Sequence, residues 1–138
     1  MPVKAFFDTN VLIHAVAEDD PRNAQAEKVL ASGGVLSVQI LNEFVSVARR
    51  KALMSWRDVT AALDAFRVLC PSPLPITMKL HQAAIKIAQK HGYNIYDALV
   101  VATALEAGCA TLYSEDLHDG QTIDGQLTIR NPFAPPPG

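Results

Sequence analysis

The sequence VKAFFDTN at residues 3–10 joins a short β-prone run to three polar residues. Residues 3–7 predict a strand, and Thr9 and Asn10 are both residue types that cap a following helix, which we expect over residues 11–17. A strand that leads directly into a helix is typical of parallel α/β domains. Asp8 is then the first residue after the strand.

The same alternation continues along the chain. The helical spacing of apolar residues predicts five more helices, at residues 23–31, 38–53, 57–69, 78–91 and 94–107. Short β-prone runs predict further strands at residues 35–37, 110–113 and 127–129. Short strands between longer helices favour a mostly parallel sheet covered on both faces. We therefore predict a three-layer α/β/α domain over residues 1–133 and a flexible proline-rich tail at 134–138.

Composition limits the class of protein. The chain has 138 residues, of which 49% are apolar, and this fits one domain with one core and excludes a disordered protein. Apolar runs are shorter than the roughly 20 residues of a membrane span, and the N-terminus lacks the long apolar region of a signal peptide. We expect a cytoplasmic protein without a membrane segment. Cys70 and Cys109 are too few for a disulfide framework and are expected in the core.

Four acidic residues are placed where chemistry is expected. Asp8 and Asp116 follow two predicted strands, and Asp97 lies in the first turn of the helix that precedes the second of them. Glu43 lies at the margin of an apolar helical stripe. Because the carboxyl ends of parallel strands meet in one crevice, we expect these acids to lie together. Burying unpaired carboxylates costs several kcal/mol, and a divalent cation would offset their repulsion.

Each acid taken alone has a simpler explanation. Asp8 and Asp97 are also good capping residues, and Glu43 could form a surface ion pair with a lysine or arginine. Asp116 could be a turn residue. Only the joint placement of the four acids favours a shared metal site.

Four motifs in this order resemble the PIN-domain ribonucleases: DTN at 8–10, Glu43 within a helix, YDALVVATA at 96–104 and LYSEDL at 112–117. The resemblance covers residues 3–133. The ending, from SEDL at 114–117 through Gly120-Gln121 to NPF at 131–133, is similar to that of VapC-type toxins of bacterial toxin–antitoxin pairs.

The resemblance implies a PIN-like domain that hydrolyses RNA phosphodiester bonds with Mg²⁺ or Mn²⁺. The implied metal ligands and catalytic residues are Asp8, Glu43, Asp97 and Asp116, and the implied supporting polar residues are Thr9, Asn10 and Ser114. A cognate antitoxin protein and a homodimer are also implied. Asp119 is expected in a solvated turn outside the site. Glu115 is left out because it would point to the opposite side if the strand continued.

Basic residues are concentrated in one part of the chain. Residues 49–90 hold eight of the twelve basic residues and only two acidic ones, a local balance of +6 that leaves −8 for the rest. Such asymmetry suits a cationic surface beside an acidic cluster, although ordinary solvated helix faces would give the same pattern. Arg49, Arg50 and Lys51 are the candidate RNA contacts. Arg50 lies seven residues after Glu43 on the same helical face, roughly 10 Å along the axis.

The remaining candidates are weaker. The four histidines, His14, His81, His91 and His118, are dispersed, so we expect surface or helix positions rather than a histidine-based mechanism. Trp56 is expected to be a packing anchor, with base stacking as the alternative. The competing functional hypothesis is a catalytically inactive PIN-like module that binds protein or RNA. A phosphotransfer domain is disfavoured because no second aspartate follows Asp8 at two residues.

Overall fold

The computed structural model describes residues 4–135. Val3 of the predicted first strand and residues 136–138 of the predicted tail lie outside this range. The described part of the chain contains six helices: α1 (Thr9–Val16), α2 (Asn23–Ala31), α3 (Val38–Arg50), α4 (Trp56–Leu69), α5 (Met78–His91) and α6 (Ile95–Glu106). It contains four strands: β1 (Ala5–Phe7), β2 (Thr111–Tyr113), β3 (Thr122–Ile123) and β4 (Leu127–Arg130).

The sheet has the strand order β1-β2-β4-β3. The pairs β1–β2 and β2–β4 are parallel, and only the two-residue strand β3 runs antiparallel to its neighbour. The prediction of an α/β/α fold with a mostly parallel sheet is confirmed. Phe7 lies opposite Tyr113, so the next residues, Asp8 and Ser114, leave neighbouring strands at the same edge.

The helices pack in two groups around this sheet. Helix α1 contacts α2 and α3, and α3 contacts α4, while α5 packs mainly on α6. The sheet supplies the centre of the core, since Phe6, Phe7 and Leu112 are fully buried. Cys70 and Cys109 are buried and free, as predicted. Among the described helices, none is long and apolar enough to cross a membrane.

Two local predictions are wrong. Residues 35–37 form isolated bridges, Phe6 with Val35 and Ser37 with Leu74, instead of a strand. The reason is that the hydroxyl of Ser37 accepts a hydrogen bond from the amide of Ile40 at 3.1 Å and starts α3 at the next residue. Strand β3 was not predicted, because two residues are too few to show an alternating pattern.

Candidate functional site

A pocket of about 420 Å³ opens where β1 and β2 end. All four predicted acids line it, although they come from different parts of the chain: Asp8, Glu43, Asp97 and Asp116. Asp8 follows β1, Glu43 projects from the middle of α3, Asp97 lies in the first turn of α6 and Asp116 follows β2. The structure therefore brings together side chains that are up to 108 residues apart in the sequence.

Asp8 is the most buried of the four acids. Its Oδ1 accepts a hydrogen bond from the amide of Thr9 at 2.8 Å, and its Oδ2 accepts one from the hydroxyl of Ser114 at 2.7 Å. Burial raises the pKa of Asp8 to about 6, against the lowering effect of these two hydrogen bonds. The nearby carboxylates of Asp116 and Glu43 raise it further. The cap role and the pocket position of Asp8 therefore coexist.

Glu43 is held by neutral donors. The hydroxyl of Thr9 donates to its Oε2 at 2.8 Å, and the amide of Gln39 lies 3.4 Å from its Oε1. Within residues 4–135, no lysine or arginine forms a salt bridge with Glu43, so the simpler explanation of a surface ion pair does not hold. The carboxylate lines the pocket without a cationic partner among the described residues.

Asp97 combines a cap contact with a position in the pocket. Its amide donates to Oδ1 of Asn94 at 2.9 Å, and the Asn94 side chain donates back to its Oδ2 at 2.9 Å, which is the predicted variant of a capping box. Burial raises the pKa of Asp97, and the carboxylates of Asp116 and Glu43 add to the effect. The acids of the pocket thus repel one another electrostatically.

Asn10 and Ser114 connect Asp116 to Asp8. The Asn10 amide donates to Oδ2 of Asp116 at 3.2 Å and lies 3.5 Å from Oδ2 of Asp8. The hydroxyl of Ser114 accepts from the backbone amide of Asp116 at 3.2 Å. Thr9, Asn10 and Ser114, the three predicted supporting residues, therefore all contact the acids.

A second group of charged side chains borders the pocket, which we call the balanced cluster: His14, Asp20, Arg22 and Glu115. The ring of His14 lies 3.1 Å from Oδ2 of Asp20 and 2.6 Å from Oε1 of Glu115. Arg22 contacts both carboxylates, Asp20 at 2.9 Å and Glu115 at 3.2 Å. Hydrogen bonds from Arg22 hold the pKa of Asp20 well below its usual range.

This cluster corrects one prediction. His14 lies on helix α1, one of the two kinds of position predicted for it, where it is buried and its ring packs edge-on against Phe133. Glu115 lines the pocket instead of pointing away, because β2 ends at Tyr113 and strand alternation no longer applies to it. Sequence gives no signal for the contact between His14 and Glu115, which lie 101 residues apart. Asp119 is outside the pocket, where it accepts a hydrogen bond from the amide of Asn131 at 2.9 Å.

The three candidate RNA contacts separate into two places. Arg50 and Lys51 line the acidic pocket, and the side chain of Arg50 donates to the hydroxyl of Ser46 at 3.2 Å. Arg49 instead lies over the ring of Trp56, with the guanidinium carbon 4.5 Å from the ring centroid. Trp56 is 59% exposed, so its predicted role as a packing anchor is wrong. Trp56 begins α4 and packs on Arg49 rather than in the core.

The donors in the pocket suit a hard divalent cation. Carboxylate oxygens are preferred by Mg²⁺ and Mn²⁺, and no cysteine lines the pocket. Within residues 4–135 no three acidic, histidine or cysteine side chains are already arranged as a metal cluster. The fit therefore rests on the chemistry of the donors and on the lack of salt-bridge partners for the four acids among the described residues.

The family model of the PIN domain matches residues 5–118. The chain belongs to the PIN domain family. That assignment confirms the resemblance to PIN-domain proteins, and the matched range contains all four acids. No curated protein sequence matches the chain.

Solved structures share the PIN fold of this chain at low sequence identity. A toxin–antitoxin complex from Klebsiella pneumoniae is 19% identical with a TM-score of 0.71, covering 94% of this chain and 98% of that one. Mycobacterium tuberculosis VapC20, a sarcin-ricin loop cleaving toxin, is 21% identical with a TM-score of 0.66, covering 79% and 87%. VapBC2 from Rickettsia felis, bound to a promoter DNA fragment, is 16% identical with a TM-score of 0.64, covering 92% and 98%.

Proposed function

We propose that this PIN domain is a metal-dependent endoribonuclease that acts as the toxin of a toxin–antitoxin pair. One observation carries the proposal: four carboxylates from separate elements face one pocket, and their hydrogen-bond partners are neutral. Such a concentration of negative charge without a paired cation is what a divalent metal site requires. The resemblance to VapC-type toxins supports RNA as the substrate.

The roles of the acids follow from their surroundings. Asp8 and Asp97 are the proposed principal ligands of Mg²⁺ or Mn²⁺, because their carboxylates are partly or fully withdrawn from water. Glu43 and Asp116 would complete the site or hold its water molecules. When bound, the ion supplies an activated water and offsets charge that develops on the phosphate.

Supporting residues fix these carboxylates. Ser114 and the amide of Thr9 orient Asp8, and Asn10 spans Asp8 and Asp116. The hydroxyl of Thr9 donates a hydrogen bond to Oε2 of Glu43. Oε1 of Glu43, with only a long contact to Gln39, is the oxygen best placed to accept a proton.

The substrate would meet a strongly negative pocket. Arg50 and Lys51 line the same pocket as the acids, so they can bind the phosphates on either side of the cleaved bond. Arg50→Ala is therefore expected to weaken RNA binding without abolishing metal binding. The assignment of Arg49 to direct phosphate binding is less well supported, because its guanidinium is engaged with Trp56.

Partners are proposed from the structural neighbours. Two of them are complexes with their antitoxins, and this supports a cognate antitoxin that covers the acidic pocket or the helices at residues 38–69. A homodimer and a cytoplasmic location remain proposals from the family resemblance. The competing function is a catalytically inactive PIN-like module that binds protein or RNA.

The test is RNA cleavage by the purified chain with Mg²⁺ or Mn²⁺. Asp97→Asn is expected to lower the cleavage rate on the order of 100-fold, because it removes a ligand charge while Asn can keep the cap contact. Asp119→Asn is the matched control, since Asp119 lies outside the pocket. Equal background activity in all three proteins would support the inactive module instead.

A further inference from the structure

The first residue of α4, Trp56, is the one tryptophan of the chain. Trp56 is 59% exposed, although an indole is among the largest apolar groups that a protein can bury. A large aromatic surface left in water outside the core is available for contact with a ligand.

The indole is held in place rather than loosely exposed. Arg49 lies over its ring at 4.5 Å and donates from Nη1 to the carbonyl of Met54 at 2.7 Å. The hydroxyl of Ser55 caps α4 by accepting from the amide of Asp58 at 3.1 Å, which fixes the backbone at Trp56. Guanidinium and indole therefore form a preorganised pair, which we call the Arg49–Trp56 platform.

Backbone hydrogen bonds fix the chain between α3 and Trp56. The amides of Lys51 and Met54 donate to the carbonyls of Val47 and Ala48, at 2.8 and 2.9 Å, so the connection is tight. Arg49 directly precedes Arg50 and Lys51, which line the pocket, and consecutive Cα atoms are about 3.8 Å apart. Arg49 is therefore adjacent in sequence to two residues of the pocket wall.

The charge around the platform favours a polyanion. Residues 49–57 carry four basic side chains and no acidic one. Nucleobases stack on indole and on guanidinium planes, and the cations attract the phosphates that join them. A ligand that offers a flat ring and a phosphate at each step matches both features of this surface.

We propose that the Arg49–Trp56 platform stacks an unpaired base of single-stranded RNA next to the acidic pocket. The inference rests on the proposed ribonuclease function for its substrate class, and it adds a specific subsite to it. Arg50 and Lys51 then bind phosphate, while Arg49 and Trp56 hold a neighbouring base. An RNA whose bases are all paired would lose this contact, so the platform favours loops and unpaired ends.

The tryptophan itself reports the contact. A single-stranded RNA of about 12 nucleotides is added to the Asp97→Asn chain with Mg²⁺ present, and tryptophan emission is followed together with the anisotropy of labelled RNA. Stacking is expected to quench the emission as RNA binds. Trp56→Leu is expected to weaken RNA binding about 5- to 100-fold, and Trp56→Phe to restore part of it.

Leu53→Ala is the matched control, because Leu53 is 80% exposed on the same connection and offers no ring. It is expected to leave RNA affinity unchanged. RNA that binds without changing the emission, or an unchanged affinity in Trp56→Leu, overturns the platform. A Trp56→Leu chain that keeps RNA affinity but changes its oligomeric state identifies a protein contact and also overturns it.

Failure of the nuclease proposal looks different. If RNA quenches the emission of Trp56 but the wild-type chain does not cleave that RNA with Mg²⁺ or Mn²⁺, the result supports base stacking and contradicts the catalytic function. If the wild-type chain cleaves RNA and Trp56→Leu cleaves it with an unchanged KM, the result contradicts base stacking and supports the catalytic function. Melting curves of each variant check that the fold is retained. We expect it to be retained because Trp56 is exposed and its replacement leaves no cavity in the core.

Discussion

Two groups of carboxylates lie close together at the end of the sheet, and they differ in the side chains that contact them. In the balanced cluster, Asp20 and Glu115 both contact the guanidinium of Arg22 and the ring of His14, and hydrogen bonds from Arg22 lower the pKa of Asp20. In the acidic pocket the partners are hydroxyls and amides, and the pKa of Asp8 rises to about 6. Neighbouring acids in one fold thus have different electrostatic roles.

This difference indicates that the acidic pocket is where a cation from solution would bind. A carboxylate with an internal cation gains stability from its charge, whereas Asp8 is charged at neutral pH at the expense of the fold. A pKa raised from 3.8 to about 6 corresponds to roughly 3 kcal/mol of destabilisation above pH 6. A divalent cation in the pocket would recover that free energy by favouring the charged form.

The largest expected effect comes from Asp8→Asn. The charge penalty of Asp8 is absent below its unfolded pKa and develops as pH rises through the folded value of about 6. Without metal, the variant is therefore expected to be more stable than wild type at pH 7 by about 1–3 kcal/mol, with the gain vanishing near pH 4. Its Mn²⁺ affinity is expected to fall on the order of 100-fold.

Thermal melts with and without Mn²⁺ at several pH values measure both effects. Asp64→Asn, an exposed acid on α4, is the control and is expected to keep the Mn²⁺-induced rise in Tm. An equal rise in wild type and Asp8→Asn would show that Asp8 is not part of a metal site.

A smaller effect is expected from Ser114→Ala. The hydroxyl of Ser114 lowers the pKa of Asp8 through a 2.7 Å hydrogen bond, so its loss should raise that pKa beyond about 6. Protons then compete with Mn²⁺ for the Asp8 carboxylate up to a higher pH. The affinity of the variant for Mn²⁺ at pH 6 is expected to fall about 10-fold. Isothermal titration at pH 6 and pH 8 checks this, because the deficit should narrow at pH 8. A deficit that is independent of pH would mean that Ser114 acts only through geometry.

The smallest effect on the pocket is expected from Arg22→Gln, which disrupts the balanced cluster. Asp20 contributes stability above its unfolded pKa, and this is lost as pH falls toward its lowered folded value. The variant should melt about 2 °C lower at pH 7, in low salt, and should converge with wild type only in strong acid, as pH falls through the lowered pKa of Asp20. Mn²⁺ affinity should change less than about threefold. Arg67→Gln, at an exposed position on α4, controls for the loss of one positive charge.

Sequence predicts the parts of this site that depend on strand ends and helix starts. Asp8 and Asp116 were placed by the strands that precede them, and Asp97 by the cap at Asn94, because these signals are local. The parallel pairing of β1 with β2 then makes the acids neighbours. Their convergence on one pocket follows from topology, although their part in catalysis stays a prediction.

What the sequence did not predict depends on contacts between distant residues. Glu115 reaches His14 across 101 residues, and no local pattern records such a pair. Tryptophan is a residue type that usually packs in a core. Only the three-dimensional packing shows that Trp56 is exposed and stacks on Arg49. Strand β3 exists because β4 offers it an edge, which two residues alone do not indicate.

The pairing of β1 with β2 also determines when the acidic pocket can form during synthesis. Residues up to Lys51, with two of the four acids, leave the ribosome early, but Asp8 faces the strand that begins at Thr111. A nascent chain halted before that strand emerges lacks both the neighbouring edge and the hydroxyl that orients Asp8. The acidic pocket therefore cannot be completed until synthesis of the chain is nearly finished.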